Sequence, residues 1–219
     1  MPQDRHLTLF HSPRSRSAGA RKLLEELGAD YEVHAFDLST GKHHEADYLA
    51  INPLGKVPAL RHGDVIVTEQ PAVYMYAAEL YPEAGLSPAP GDALRGPYLR
   101  WMVFYGSCFE PAIVDRSMNR PPAAYSMSPY GDFDAVVNAL EAQLAKGPYL
   151  LGERFTAADV LWGSALNWTT MFKLIPETPR IRAYIDRILA RPAIQRAQAA
   201  DAALAAEQDK AKENAATAR

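Results

Sequence analysis

The sequence predicts an α/β domain of βαβ–ββα order followed by an all-α domain, and three observations carry that prediction. The first is a strand–turn–helix–strand succession within residues 6–38. The second is the stretch Asn52 to Pro71, N-P-L-G-K-V-P-A-L-R-H-G-D-V-I-V-T-E-Q-P, which reads as turn, strand, tight turn, strand and helix start. The third is a proline- and glycine-dense segment, 82–92, beyond which the apolar patterns have helical spacing.

Residues 6–11 (H-L-T-L-F-H) alternate with the period of a half-buried strand. A Ser/Pro/Arg turn at 12–17 leads into Ala18–Leu27, where Leu23, Leu24 and Leu27 share one face and Gly28 stands where helices stop. Tyr31–Leu38 forms the next strand, and a parallel return through a helix makes a βαβ unit. The polar segment 39–50 holds Gly41, Lys42, His43 and His44. Strands Val57–Arg61 and Val65–Val67 make a hairpin about Gly63-Asp64, and Pro71 opens a helix to about Tyr81. Pro58 cannot donate a ladder hydrogen bond, which assigns it to the beginning of its strand or to an edge. A cis bond is far commoner before proline than elsewhere. At Val57–Pro58 it would turn the N–H and C=O of Val57 outward, toward an extended peptide lying alongside.

These elements divide the chain into residues 1–81, a linker 82–92, a helical domain 93–196 and an Ala/Glu/Lys-rich tail 197–219. The helices expected are Ala93–Phe109, Phe133–Ala145, Thr156–Phe172 and Pro179–Ala190, with Leu99, Met102, Val103 and Tyr105 or Gly106 on inner faces of the first. A proline-rich loop bearing Met and Tyr, 117–131, separates the first two, and the tail is read as either a helix extension or disordered chain. Thr156 and Asp159, three apart at the head of an apolar run, form a capping box with Phe155 placed to staple onto Val160. Asp159 is accordingly structural.

Composition narrows the function. With 219 residues, 48% hydrophobic and 22% charged, the chain has ample apolar content for a core. A net charge of −3 argues against nucleic acid as the main partner. No apolar run approaches the ~20 residues of a membrane span, and no apolar signal region precedes the first strand. A single cysteine, Cys108, excludes an internal disulfide and any C-x-x-C motif. The expectation is a soluble cytoplasmic protein with no membrane association.

Four motifs in this order, S-P-R-S-R-S at 12–17, N-P-L-G-K-V-P at 52–58, T-E at 68–69 and G-E-R-F-T-A-A-D at 152–159, resemble those of the cytosolic glutathione S-transferases. The resemblance runs from His6 to about Arg196, and the first turn is most similar to bacterial beta-type and theta-like members. It implies a thioredoxin-like first domain, an all-helical second domain and a homodimer. Glutathione is the implied co-substrate, bound mainly by the first domain without a metal, beside a variable apolar pocket from the second.

Such an enzyme must ionise a thiol that titrates near 8.5 when free, which calls for a hydroxyl donor or a cysteine at the start of the first helix. The turn offers Ser12, Ser15 and Ser17. Aligned on Pro13, serine-type members imply Ser15, which ranks first; plant-type members favour Ser12, and a gapless beta-type alignment places Ser17 beside the cysteine position. Any of the three also suits an N-cap. Cations at a helix N-terminus oppose the macrodipole, so Arg14 and Arg16 become sensible beside an anion.

The resemblance further implies that Val57, with Pro58 cis, pairs with the cysteinyl unit and that Lys42, or His43 or His44, meets the glycyl carboxylate. Glu69 would bind the γ-glutamyl ammonium. Family members follow that acid with serine; here Gln70 stands there, before Pro71, so the amide must replace a hydroxyl contact worth about 0.5–1.5 kcal/mol. The second substrate, a small hydrophobic electrophile, would meet Tyr105, Cys108, Phe109 and the 117–131 loop, with Trp168 and Phe172 as further candidates. Beta-type members carry a His-Lys pair nine and ten residues beyond the counterpart of Trp101. This chain has Glu110 and Pro111, so beta-type chemistry is not carried over. The expected function is a detoxifying glutathione S-transferase. The alternatives are a glutathione-dependent peroxidase, dehalogenase or lyase, or a non-catalytic binding or interaction protein of the same fold.

Overall fold

The computed structural model describes residues 5–121 and 123–217. The chain divides into two compact units: Met1–Ala84 with Arg191–Arg219, and Gly85–Ala190.

The first unit is built on a four-stranded sheet of order β2-β1-β3-β4. Strand β1 (Leu7–His11) pairs in parallel with β2 (Tyr31–Ala35) through helix α1 (Ser17–Leu27), giving the βαβ half. Strand β3 (Ala59–His62) runs antiparallel to β1, and β4 (Val65–Val67) antiparallel to β3. A thioredoxin-like arrangement results. Leu7, Leu9 and Leu60 from the sheet, with Leu23, Leu24 and Leu27 from α1, are fully or nearly fully buried. On the other side Phe10, Phe36, Tyr48 and Ala59 form a second cluster, against which Ile51 and Val57 pack. The expected strand to Leu38 stops at Ala35, because Asp37 caps a 3₁₀ turn at Leu38–Thr40 by accepting from Ser39 N–H at 2.9 Å. The polar segment that follows holds a second 3₁₀ turn, Lys42–His44, and a short helix α2, Ala46–Leu49. Helix α3, Gln70–Leu80, begins with proline at its first turn.

The tail is helical. Helix α9, Pro192–Thr217, runs across the expected boundary at 196/197 and belongs to the first unit, where it lies along α1. Arg191 grips Glu26 with two bonds of 2.7 Å, Arg21 bonds Asp201 at 2.8 Å, and Gln208 donates to the Phe36 carbonyl at 2.9 Å. An alanine-rich sequence with no strong apolar face gives little sign of docking. Buried Ile194, Ala197 and Ala205 pack it, together with these long-range polar ties.

The second unit holds α4 (Arg95–Phe104), α5 (Glu110–Ser117), α6 (Phe133–Leu144), α7 (Ala157–Met171) and α8 (Pro179–Leu189). A π-helical turn, Tyr105–Phe109, forms the last part of the helix expected over Ala93–Phe109 and joins α4 to α5, which that expectation did not include. Pro111 explains it: with no N–H for the Ser107 carbonyl and a ring that clashes there, it forces the turn wide. Val103 is 57% exposed, against the inner position expected for it, because α4 turns its Tyr98, Trp101 and Met102 face inward. Trp101, Phe104, Tyr105, Phe109 and Trp162 form the aromatic core, with Trp162 Nε1 donating to the Trp101 carbonyl at 3.1 Å. The capping box at Thr156 and Asp159 is present.

Candidate active site

The register Phe10↔Ala59 places the start of β3 beside the end of β1, so Val57-Pro58 and the Ser12–Ser17 turn fall at the same end of the sheet. The Val57–Pro58 peptide bond is cis. The chain before it is held from within: Tyr48 Oη and Asn52 Nδ2 both donate to the Lys56 carbonyl, at 2.6 and 2.9 Å. Gly55 has φ +60°, and a Cβ there would lie 2.8 Å from both the His43 carbonyl and His44 Nδ1. That close approach seats the Lys42–His44 turn against the Asn52–Val57 turn. Lys42 is exposed, while His43 and His44 stack with ring centroids 4.0 Å apart. Burial and the neighbouring charges of His44 and Lys56 press the His43 pKa down.

The three serines have different environments. Ser17, fully buried at the first position of α1, accepts from Ser12 N–H at 3.0 Å and lies 2.9 Å from His11 Nδ1. Its hydroxyl also approaches the Ser12 carbonyl at 3.1 Å and Ser15 Oγ at 2.7 Å. Ser12 is buried too, its hydroxyl directed to the Pro13 carbonyl at 3.3 Å. Ser15 is the half-buried one; its hydroxyl donates to the Ser12 carbonyl at 2.7 Å and accepts from Ser17 N–H at 3.2 Å.

Four described residues other than glycine adopt positive φ, Arg14, Glu69, Asn119 and Lys173, and the first two lie at this site. Arg14 (φ 62°) turns the chain inside the serine cluster, and its guanidinium makes a two-pronged pair with Asp209 of α9 at 3.1 and 2.6 Å. The cation that the sequence sets aside for a bound anion thus already holds a carboxylate, which any anion reaching it must displace. Glu69 (φ 64°, ψ 114°) stands exposed at the head of α3 in a conformation costing about 1–3 kcal/mol. Gln70 Nε2 donates to the Arg16 carbonyl at 3.2 Å, tying the N-terminus of α3 to that of α1. The serine turn and the Glu69-Gln70 pair are therefore neighbours.

The three residues assigned to the second substrate part company. Tyr105 and Phe109 are buried, packed on Trp162 in the helical core, and offer no surface to a substrate. The cause is helical spacing: Tyr105 and Phe109 continue the buried face of Tyr98, Trp101 and Met102. Cys108, between them, is half-exposed, with its sulfur 3.7 Å from the Pro129 carbonyl. Met118, Tyr125 and Met127 of the following loop are exposed, as is Phe172 at the end of α7, while Trp168 is half-buried. Position 122 of that loop lies outside the described residues.

Sequence reasoning missed His11, Tyr48, Asn52 and Asp201. His11 ends a strand immediately before Ser12-Pro13, and that adjacency was the available signal. Nothing local points to Asp201, whose partners lie about 180 residues away.

The glutathione S-transferase N-terminal domain model matches residues 5–79, and the C-terminal domain model matches residues 130–187. Glutathione S-transferase 3 of Zea mays is 32% identical over 191 residues, covering 81% of this chain and 86% of its own. A glutathione transferase structure from Methylococcus capsulatus superposes with a TM-score of 0.76 at 33% identity, covering 90% of this chain and 98% of that one. A sphingomonad glutathione S-transferase complexed with glutathione gives a TM-score of 0.72 at 33% identity, covering 89% and 98%. The chain belongs to the glutathione S-transferase family.

Proposed function

We propose that this protein is a serine-type glutathione S-transferase that ionises the glutathione thiol for attack on a small hydrophobic electrophile. The observation that carries the reading is convergence. The start of β3 at Val57-Pro58, the Ser12–Ser17 turn and Glu69-Gln70 at the head of α3 come together at one end of the first unit. The tripeptide would lie extended along Val57, with its γ-glutamyl ammonium at Glu69 and its α-carboxylate at the N-terminus of α3. Its glycyl carboxylate would meet exposed Lys42. Arg14 contributes less, because Asp209 already neutralises it.

Ser15 is the thiol-activating residue in this reading. What favours it over Ser12 and Ser17 is its half-exposed hydroxyl, which needs only to rotate from the Ser12 carbonyl to reach a sulfur. Donation to a developing thiolate stabilises the charged form, and one pKa unit corresponds to about 1.4 kcal/mol. Positioning the nucleophile beside the electrophile supplies the rest. Cys108 and the exposed side chains of the 117–131 loop are the best candidates for the electrophile's apolar pocket. The reading extends to a cytoplasmic homodimer, as the family resemblance implies.

Isothermal calorimetry with glutathione, followed by a conjugation assay with a small aromatic electrophile, tests the proposal. Saturable binding at millimolar glutathione with turnover is expected. Ser15→Ala should lower turnover near neutral pH about tenfold for each unit by which the bound thiol's pKa rises. Gln70, whose amide donates to the Arg16 carbonyl, favours a non-catalytic interaction protein of the same fold as the second reading, since that amide is not free to replace the missing hydroxyl. No saturable binding at millimolar glutathione would select it.

A further inference from the structure

Behind Ser15 lies a continuous line of hydrogen-bonding groups that the conjugation reaction does not by itself require. Ser15 Oγ is 2.7 Å from Ser17 Oγ, which is 2.9 Å from His11 Nδ1. On the far side of the ring, His11 Nε2 is 3.0 Å from Asp201 Oδ1 of α9. The line runs from a half-exposed hydroxyl to a histidine and a serine that are both fully buried. The Nε2 contact falls outside hydrogen-bond alignment, leaving that nitrogen without a directional partner. A charge pair does not depend on that alignment as a neutral hydrogen bond does. The geometry therefore suits a ring that carries a positive charge at some stage.

We propose that His11, paired with Asp201, accepts the glutathione thiol proton through Ser15 and Ser17. The inference rests on Ser15 being the thiol-activating hydroxyl. In the transfer the S–H bond breaks as Ser15 takes its proton and passes its own to Ser17. Ser17 passes its proton to His11 Nδ1, forming the new N–H bond. Each hydroxyl gains one proton and gives one, so a neutral thiol and a neutral imidazole become a thiolate and an imidazolium. Afterwards the polarity of the line is fixed: Nδ1–H donates to Ser17, Ser17 to Ser15, and Ser15 to the sulfur. The same imidazolium that stores the proton thereby strengthens the donor facing the thiolate.

The charged groups around the ring are few. Asp201 faces it from α9, and its carboxylate is shared with Arg21 of α1 at 2.8 Å. Lys22, nearly buried on α1, also senses Asp201, and Tyr31 of β2 pairs with Arg21. His11 and Asp201 touch no substrate; they are positioning residues that act through the serines.

Proton counting tests this on the intact wild-type protein. Calorimetric binding of glutathione near neutral pH, in two buffers of different ionisation enthalpy, gives the protons released; S-methylglutathione corrects for linkage that does not involve the thiol. The expected release is well below one proton per thiolate seen by ultraviolet absorbance. Release equal to the thiolate formed would overturn the proposal. In the variants Asp201→Asn and Ser17→Ala, the bound thiol should titrate about one unit higher, with S-methylglutathione affinity unchanged within about twofold. Ser17→Thr should restore the wild-type midpoint. If both variants titrate as wild type while Ser15→Ala is displaced, the relay is wrong and Ser15 stands. If Ser15→Ala also titrates as wild type, the Ser15 assignment has failed and takes the relay with it.

Discussion

Asp159 lies fully buried in the helical unit, and its carboxylate collects hydrogen bonds from two backbone N–H groups and two hydroxyls. Leu150 N and Tyr184 Oη reach Oδ1 at 2.8 and 2.9 Å, while Thr156 N and Oγ1 reach Oδ2 at 2.8 and 3.2 Å. Asp159→Ala would leave those donors unpaired in a dry site, and urea denaturation should show a loss of about 3 kcal/mol or more. Burial nonetheless pushes the Asp159 carboxyl up to about 6, the hydrogen bonds pulling the other way. Because the folded state then holds this proton to higher pH than the unfolded chain does, its stabilising contribution is full below about pH 4. It is lost as pH rises through about 6. The wild-type stability measured relative to Asp159→Asn should therefore shrink between those pH values; a difference that grows would refute it. Such a residue was readable from sequence as a cap, since Thr156 and Asp159 sit three apart before an apolar run. Leu150 and Tyr184 were not readable, because they arrive from other elements.

At the scale of elements, local signals held where they were strong and failed where distant contacts decided. Gly28 ends α1 in a left-handed conformation, as its position implies. The helix expected over Ala93–Phe109 ends where the π turn does, while the further helix α5, which carries Pro111 in its first turn, was not read. α9 offered no comparable signal, and small apolar contacts at Ile194, Ala197 and Ala205 hold it together with polar ties. Glu26 is only 6% exposed and depends on Arg191, so Arg191→Ala should cost about 2–3 kcal/mol. Arg14→Ala removes a solvent-exposed pair with Asp209 and should cost under about 1 kcal/mol. Equal losses in urea denaturation would contradict that ranking. Where α7 meets α8, a Cβ on Gly163 would fall 2.6 Å from Ile188, so Gly163→Ala should destabilise by about 1–3 kcal/mol.

For the whole molecule, the order of elements was legible almost throughout, because strand and helix periods and proline and glycine punctuation act locally. The site was legible in part. Val57-Pro58, Glu69 and the serine turn stand out as short motifs; the sheet register brings the first and last to one end, and the Gln70–Arg16 bond ties the head of α3 to the start of α1. The hydroxyl that faces solvent, the carboxylate that holds Arg14 and the histidine behind Ser17 depend on packing between residues far apart in sequence. The residues assigned to the second substrate suffered most, since Tyr105 and Phe109 continue the helix face that packs on Trp162. A homodimer predicts a light-scattering mass twice that of the chain, and a monomeric mass would remove that part of the proposal.

The central claim is that the first unit binds glutathione and lowers the pKa of its thiol through Ser15. An ultraviolet absorbance titration of the saturated complex measures this directly. The expected midpoint lies clearly below the ~8.5 of a free thiol and moves upward in Ser15→Ala. A bound thiol that titrates like the free one, in wild type and variant alike, would contradict it.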